Sequence, residues 1–286
     1  MNSGCAAAFE RLMRFPLPLT ADLALGLATR SLRGAPRHRL ILHLSPVAGS
    51  ASPTRSGDDS SQSNVSGLQL LSSDVCLDAV RRSSAPVVWI GGAEPLLHPE
   101  IGRLARGNVD TNRHVFVQTN GALLRRSLHE FRPVSRLFLA VQFEGFEQRH
   151  DRRARREGAF RDAVEGIRAA KLSGFLVCAQ VALHADTELS EFDQLRVYLE
   201  ARDVDGFVVT PGNDYSKATA GQMENRDLQR KLRVVRDQIR SRRWRLFSWL
   251  LESSLPAAPG TAGTDDALGS VGAAAAVACE EGAHVS

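Results

Sequence analysis

The chain has 286 residues, of which 43% are hydrophobic and 24% charged, enough apolar material for one full-sized core and too ordinary a balance for a fibrous or wholly disordered protein. Its formal charge is only +4 and its arginines are spread along the chain, which argues against dedicated nucleic-acid binding. No apolar run reaches the roughly 20 residues of a membrane span, because the N-terminal candidate at 17–27 is broken by Pro18 and Asp22, so a cytoplasmic protein without a transmembrane segment is expected.

Residues 1–38 read as an N-terminal tail followed by a helix that precedes the main domain. From residue 39 onward, short apolar and β-branched runs alternate with helical patterns, the signature of a parallel sheet built from βα units. Six strands are predicted, at 40–44, 86–90, 114–118, 137–143, 175–183 and 206–210. Each is nearly continuous in apolar character, as strands covered on both faces are. The segment at 47–66, directly after the first strand, is rich in Gly, Ser and Pro and too poor in apolar groups to offset its ordering entropy, so a mobile loop is expected there. A helix carries Cys76, Leu77, Asp78, Ala79 and Val80. A second, at 160–171, repeats Phe160, Val164, Ile167 and Ala170 and stops at Gly174, and a third, at 191–201, repeats Phe192, Leu195 and Leu199.

Six such repeats over 39–220 predict a partial (β/α)6 barrel of parallel strands, α/β in class. A helix at 226–245 follows, with Leu228, Leu232, Val235 and Ile239 on one stripe and arginines around the rest, then Trp244, Phe247 and Trp249. The unit at 221–255 is therefore a basic amphipathic terminal helix. Its composition suits peripheral contact with a membrane surface through 226–249, although a helix packed on the core with one wet face has the same pattern. The Ala- and Gly-rich residues 256–286 are expected to be disordered.

Chemistry-bearing residues gather where a barrel places ligand contacts, at strand C-termini. The second strand runs into Gly91, Gly92, Ala93, Glu94 and Pro95; the third ends in Thr119, Asn120 and Gly121; the fourth ends in Gln142 through Gly145; the fifth carries Gln180; the sixth ends in Thr210, Pro211 and Gly212. The four cysteines, Cys5, Cys76, Cys178 and Cys279, are too far apart for a disulfide framework or a short-spaced metal site, so no metal ligands are predicted. Cys178 reads as a small buried core residue. His43, His98 and His150 are candidates for a catalytic base, yet a lone histidine near a strand end is more often structural, and the catalytic residues stay unknown.

The 91–95 segment resembles the GGEP loop of radical SAM enzymes, whose backbone and acidic group meet the amino group of S-adenosylmethionine. Over roughly residues 15–250 the chain is similar to the hopanoid-type adenosyl transferases, which attach a deoxyadenosyl group to a squalene-derived hydrocarbon. The similarity runs through the Cys76 helix, His150 and Asp151, the run 156–160, the helix through Lys171, and 208–212 with Tyr215 and Lys217 behind it. It implies a radical-SAM-type barrel with S-adenosylmethionine as cofactor and Gly91, Gly92, Ala93, Glu94, Pro95, Asn120, Gln142, Gln180, Thr210, Pro211 and Gly212 around it. The departures are specific. Radical SAM enzymes carry C-x3-C-x2-C after strand one, and here that register falls on Ser50, Thr54 and Gly57, with no cysteine between Cys5 and Cys76. Hydroxyls and a glycine do not replace thiolates around iron, so a [4Fe–4S] cluster is expected to be absent. Ala93 replaces the loop's middle glycine, and the chain stops before the relatives' cysteine-containing C-terminal extension.

Three functions follow from this pattern: a non-catalytic or partner-dependent protein that keeps a nucleoside pocket; a SAM-dependent enzyme with non-radical chemistry; and an adenosyl transferase acting on a hopene-like terpenoid lipid. The implied partners are a small nucleoside or a terpenoid lipid, together with a protein partner.

Overall fold

A computed structural model describes residues 18, 19, 21–23, 25, 40–48, 68–212 and 222–240. Seven strands form one sheet: β1 (Ile41–Ala48), β2 (Gln69–Leu70), β3 (Val87–Gly92), β4 (His114–Thr119), β5 (Leu137–Phe143), β6 (Leu176–Leu183) and β7 (Gly206–Pro211). They run in the order β2-β1-β3-β4-β5-β6-β7. All neighbouring pairs are parallel except β1 with β2, which pair antiparallel through Val47↔Leu70 and Ala48↔Gln69. The fold is the expected partial TIM-like sheet of parallel strands, with one short antiparallel strand more than predicted.

That extra strand corrects the loop boundary. Val47 and Ala48, placed at the start of a mobile segment by their small polar neighbours, belong to β1. Val47 is fully buried and sits opposite Gly92 across a register shift, so pairing to two strands holds what composition alone leaves loose. The rest of the 47–66 segment from residue 49, with Ser50, Thr54 and Gly57, and the 256–286 tail lie outside the described residues.

Helices cover the sheet: α1 (Ser73–Arg82), α2 (Ile101–Asp110), α3 (Leu124–Ser127), α4 (Glu147–Ala154), α5 (Ala159–Leu172), α6 (Leu189–Glu200) and α7 (Gln222–Arg240). Local chemistry sets their ends. The Ser72 hydroxyl caps α1 by accepting from Val75 N, with Asp74 in the first turn and Arg81 and Arg82 in the last, each favourable to the helix dipole. The start of α5 is held from outside, as the Asp151 carboxylate accepts from Gly158 N and Phe160 N at 2.7 and 2.8 Å. Helix α7 starts earlier than its arginine-rich pattern suggests and buries Leu228, Leu232 and Val235 in the same core as the sheet. Of its predicted stripe, Ile239 is among the side chains not described.

Strand alternation divides the sheet into two faces. Val141 lies beside Gly121 and Ala163 of α5 and marks the helix-covered side. The other face is the barrel interior. The registers Trp89↔Phe116, Phe116↔Phe138, Ala140↔Cys178 and Gln142↔Gln180 put these side chains on it together. Its lower layer is an aromatic stack, with Trp89 over Phe116 at 5.2 Å and Phe116 over Phe138 at 4.4 Å between ring centroids. At the opposite, N-terminal end of the strands, Asp22 of the preceding helix accepts from Arg136 and pairs with His114 at 2.8 and 2.9 Å. This is the place where a barrel keeps stability contacts away from chemistry.

Candidate functional site

Above the aromatic layer the interior turns polar at the C-terminal strand ends, and the hydrogen bonds there run in one direction. Trp89 Nε1 can only donate, and it donates to Gln118 Oε1 at 3.0 Å. Gln118 must then turn its amide nitrogen outward, and it donates to Gln142 Oε1 at 3.1 Å. Gln142 in turn donates to Glu144 Oε1 at 2.8 Å. The line ends at this carboxylate, whose Oε2 lies 2.7 Å from His184 Nε2. Burial acts to raise the Glu144 pKa, but the His184 hydrogen bond, the imidazole charge and the Gln142 amide outweigh it and hold the carboxyl below its ordinary value. An ionised carboxylate only accepts, so Nε2 carries the proton. Four strands thus deliver one ordered polar line across the barrel mouth, ending on a half-buried carboxylate.

Gln180 stands beside that line on β6, opposite Gln142. It is 8% exposed, and its Oε1 has no hydrogen-bond partner among the described residues. A buried acceptor left unsatisfied costs on the order of 1–3 kcal/mol, which a ligand donor reaching the interior would recover.

The 91–95 loop is built tightly. Gly92 has φ +104°, a region that L side chains rarely adopt, and a Cβ there would lie 2.6 Å from Val47 O. Ala93 N donates to that same carbonyl at 3.2 Å. Gly91 faces Gln118 so closely that a Cβ would meet its Oε1 at 2.7 Å. Glu94 is turned into the protein: it is 3% exposed, Oε1 accepts from Leu96 N at 3.2 Å and Oε2 from Asn120 N at 2.9 Å. Burial pushes its pKa up, opposed by those two amides and the Thr119 hydroxyl. Its geometry therefore gives it a bracing role, tying the loop after β3 to the end of β4. Pro95 begins a short 3-10 turn at Pro95–Leu97.

The remaining predicted positions gather at the same end of the sheet. Asn120 is exposed and caps the next turn through Ala122 N at 2.9 Å. Thr210 and Pro211 form the end of β7, half-buried, and Gly212 N donates to Leu183 O at 2.7 Å. Gly212 lies flat against the His184 ring, so closely that a Cβ would overlap it.

Two of the three candidate histidines are structural. His98 Nδ1 accepts from Glu100 N and Nε2 reaches Leu71 O at 2.9 Å. His150 accepts from Glu144 N and packs between Phe143 and Phe160, and burial lowers its pKa below the ordinary value. His43 is exposed at the interior edge, 6.4 Å from Trp89. Glu144 lies in the strand-four end singled out in the sequence, but its pairing with His184, 40 residues away, was not visible there. The only available signal was that both immediately follow predicted strands.

The described thiols do not converge. Cys76 is buried in α1, in the helix layer, and Cys178 is fully buried on the interior face of β6. Burial pushes both thiols above their ordinary pKa, and among the described residues no three His, Cys, Asp or Glu side chains come together as a metal site. No described helix is long and apolar enough to cross a membrane.

Comparison with known proteins fits this architecture. Residues 60–196 match the Radical SAM superfamily. The AdoMet-dependent heme synthase of Methanosarcina barkeri is 30% identical over 101 residues, covering 35% of this chain and 29% of that enzyme. Streptococcus suis SuiB bound to its precursor peptide SuiA superposes with a TM-score of 0.55 at 13% identity, over 76% of this chain and 50% of SuiB. SuiB bound to S-adenosylmethionine gives 0.54 at 14%, over 77% of this chain and 52% of SuiB. At these identities the SuiB structures speak for the fold alone, and the chain spans about half of SuiB's length. Residues 60–196 take in the 91–95 loop and strands β2 to β6, and over that segment the chain matches a radical SAM superfamily domain.

Proposed function

We propose that this chain is a degenerate radical SAM-like protein that retains a weak pocket for S-adenosylmethionine or a related nucleoside and acts as a non-catalytic or partner-dependent component of hopanoid-like, terpenoid or other secondary metabolism. The contrast between the polar barrel interior and the sequence that follows β1 carries this reading. The interior keeps an ordered polar line with an unspent buried acceptor, Gln180 Oε1, while the loop after β1 offers Ser50, Thr54 and Gly57 where the family has thiolates. In this reading the 91–95 loop and Asn120 line one side of the pocket. Gln142 and Gln180 meet ribose or carboxylate groups, and Thr210, Pro211 and Gly212 present backbone to the base. Because Glu94 is spent on backbone amides, the carboxylate left to face a cationic ligand is Glu144.

A [4Fe–4S] cluster does not fit the residues at hand. Soft thiolates are what hold iron–sulfur clusters, and the two described thiols are buried in different layers with their pKa values raised. Without iron to chelate the methionine amino and carboxylate groups, hydrogen bonds alone hold the ligand, so affinity falls on the order of micromolar to millimolar. Anaerobic iron–sulfide reconstitution followed by iron and sulfide analysis should yield no cluster, and calorimetry should show weak binding of both S-adenosylmethionine and adenosine. Stoichiometric cluster would restore the adenosyl-transferase reading, and no binding of either ligand would leave only an empty barrel.

A second reading, a SAM-dependent enzyme with non-radical chemistry, draws on the Glu144–His184 pair at the ends of β5 and β6, since catalytic groups in barrels come from such positions. Peripheral contact with a membrane surface is proposed through 226–249, with Arg226, Arg230 and Arg233 on the exposed side of α7.

A further inference from the structure

Outside the barrel, α5 and α6 enclose a cavity of about 400 Å³, within the range of small-molecule sites. Its floor is apolar and aromatic. Phe160 and Val164 of α5 are buried there, and the Tyr198 ring of α6 packs 5.6 Å from Phe160. Its walls are cationic: Arg161 and Arg168 stand two helical turns apart on α5, and Arg202 faces them from the turn after α6. Glu147 and Glu165 also line the cavity, and so does Lys171, which is committed to Asp205 at 2.5 Å. The lining carries an excess of two positive charges.

The arginines are only lightly used. Arg168 has Glu165 at 3.8 Å, with most of its side chain exposed. Arg202 lies over the Tyr198 ring, 3.2 Å from its centroid, and donates one of its five N–H groups to Tyr198 O. Arg161 makes no ion pair among the described residues. A solvated helix face would carry such arginines without a hollow or an aromatic floor. Here guanidinium groups that fit a phosphate or carboxylate two-pronged ring an apolar concavity that fits a flat body.

We propose that this α5–α6 cavity is a second ligand site, for a small organic anion with a phosphate or carboxylate head on an aromatic or similarly flat apolar body. The site lies on the outer side of the helix layer, so it does not rest on the barrel pocket and either reading stands without the other.

The probe is phenyl phosphate, titrated calorimetrically into the full chain alongside inorganic phosphate and phenol. Phenyl phosphate should bind about tenfold tighter than either fragment, because it alone engages both walls and floor. The paired substitutions Arg161→Glu and Arg168→Glu should weaken it about tenfold or more, with the circular dichroism spectrum unchanged. The neutral pair Arg161→Gln and Arg168→Gln should give an intermediate loss. Saturating S-adenosylmethionine should leave the titration as it was. Equal binding by wild type and both arginine variants, no preference for phenyl phosphate over its fragments, or competition by S-adenosylmethionine would each overturn the proposal.

Discussion

Glu94 and Glu144 show how two carboxylates a few strands apart take opposite roles from their surroundings. Both oxygens of Glu94 accept backbone N–H groups from different elements, Leu96 and Asn120. Glu94→Gln must therefore turn an NH2 group against one of them. Donor facing donor outweighs the relief of burying a charge, and the substitution should cost about 1–3 kcal/mol in urea unfolding. Because the loop shifts with it, S-adenosylmethionine should lose more affinity than adenosine. Glu144 has the opposite sign. Its folded pKa is depressed below the ordinary 4.5, so its contribution to stability is present above that value and is lost as pH falls through the folded pKa. The stability difference between wild type and Glu144→Gln should be constant near neutrality and should shrink on acidification below about pH 4.5. A gap that widened on acidification would contradict the pairing.

At the level of elements, the end of β7 depends on one close approach. Gly212 lies against the His184 ring after its N–H has closed onto Leu183 O, so an added methyl must push the imidazole off Glu144 or pull β7 off β6. Gly212→Ala should cost about 1–3 kcal/mol by overpacking. The double variant Gly212→Ala, His184→Ala should lose less than the sum of the two single losses, because truncating the ring makes room for the methyl. Strict additivity in denaturant unfolding would show that the two residues are not in conflict. The strand ends are where such conflicts arise, because helix-side packing sets the strand positions and the interior groups must fit what space remains.

For the whole molecule, the terminal helix is part of the core and not an appendage. Leu228, Leu232 and Val235 are 4%, 1% and 0% exposed, and Lys231 reaches back to Ala185 O beyond β6. Leu232→Ala should therefore cost about 2–5 kcal/mol, the range for emptying a buried leucine position, in a single cooperative transition. A loss below about 1 kcal/mol, or a separate early transition, would mean that α7 folds apart from the sheet. Membrane contact, if it follows from the arginine face, has to use a helix already anchored by this packing.

The order of strands and helices was legible from residue 40 onward because buried parallel strands are written as unbroken apolar runs and their helices as 3.6-residue stripes, both local patterns. The 91–95 loop was legible as a motif for the same reason. β2 was not: two exposed residues, Gln69 and Leu70, carry no periodic signal and become a strand only through pairing with β1. Nor did sequence reveal that Glu94 faces inward, that Gln118 and Gln142 align between Trp89 and Glu144, or that Glu144 meets His184. Those relations depend on strand register and on which face each residue takes, and register is settled by packing across the whole sheet. The sequence by itself determined the alternation of elements and the absence of cysteine at the positions after strand one; the tertiary structure decided which polar groups are spent on holding the barrel and which still face its interior, because hydrogen-bond partners distant in sequence meet only when the sheet is assembled.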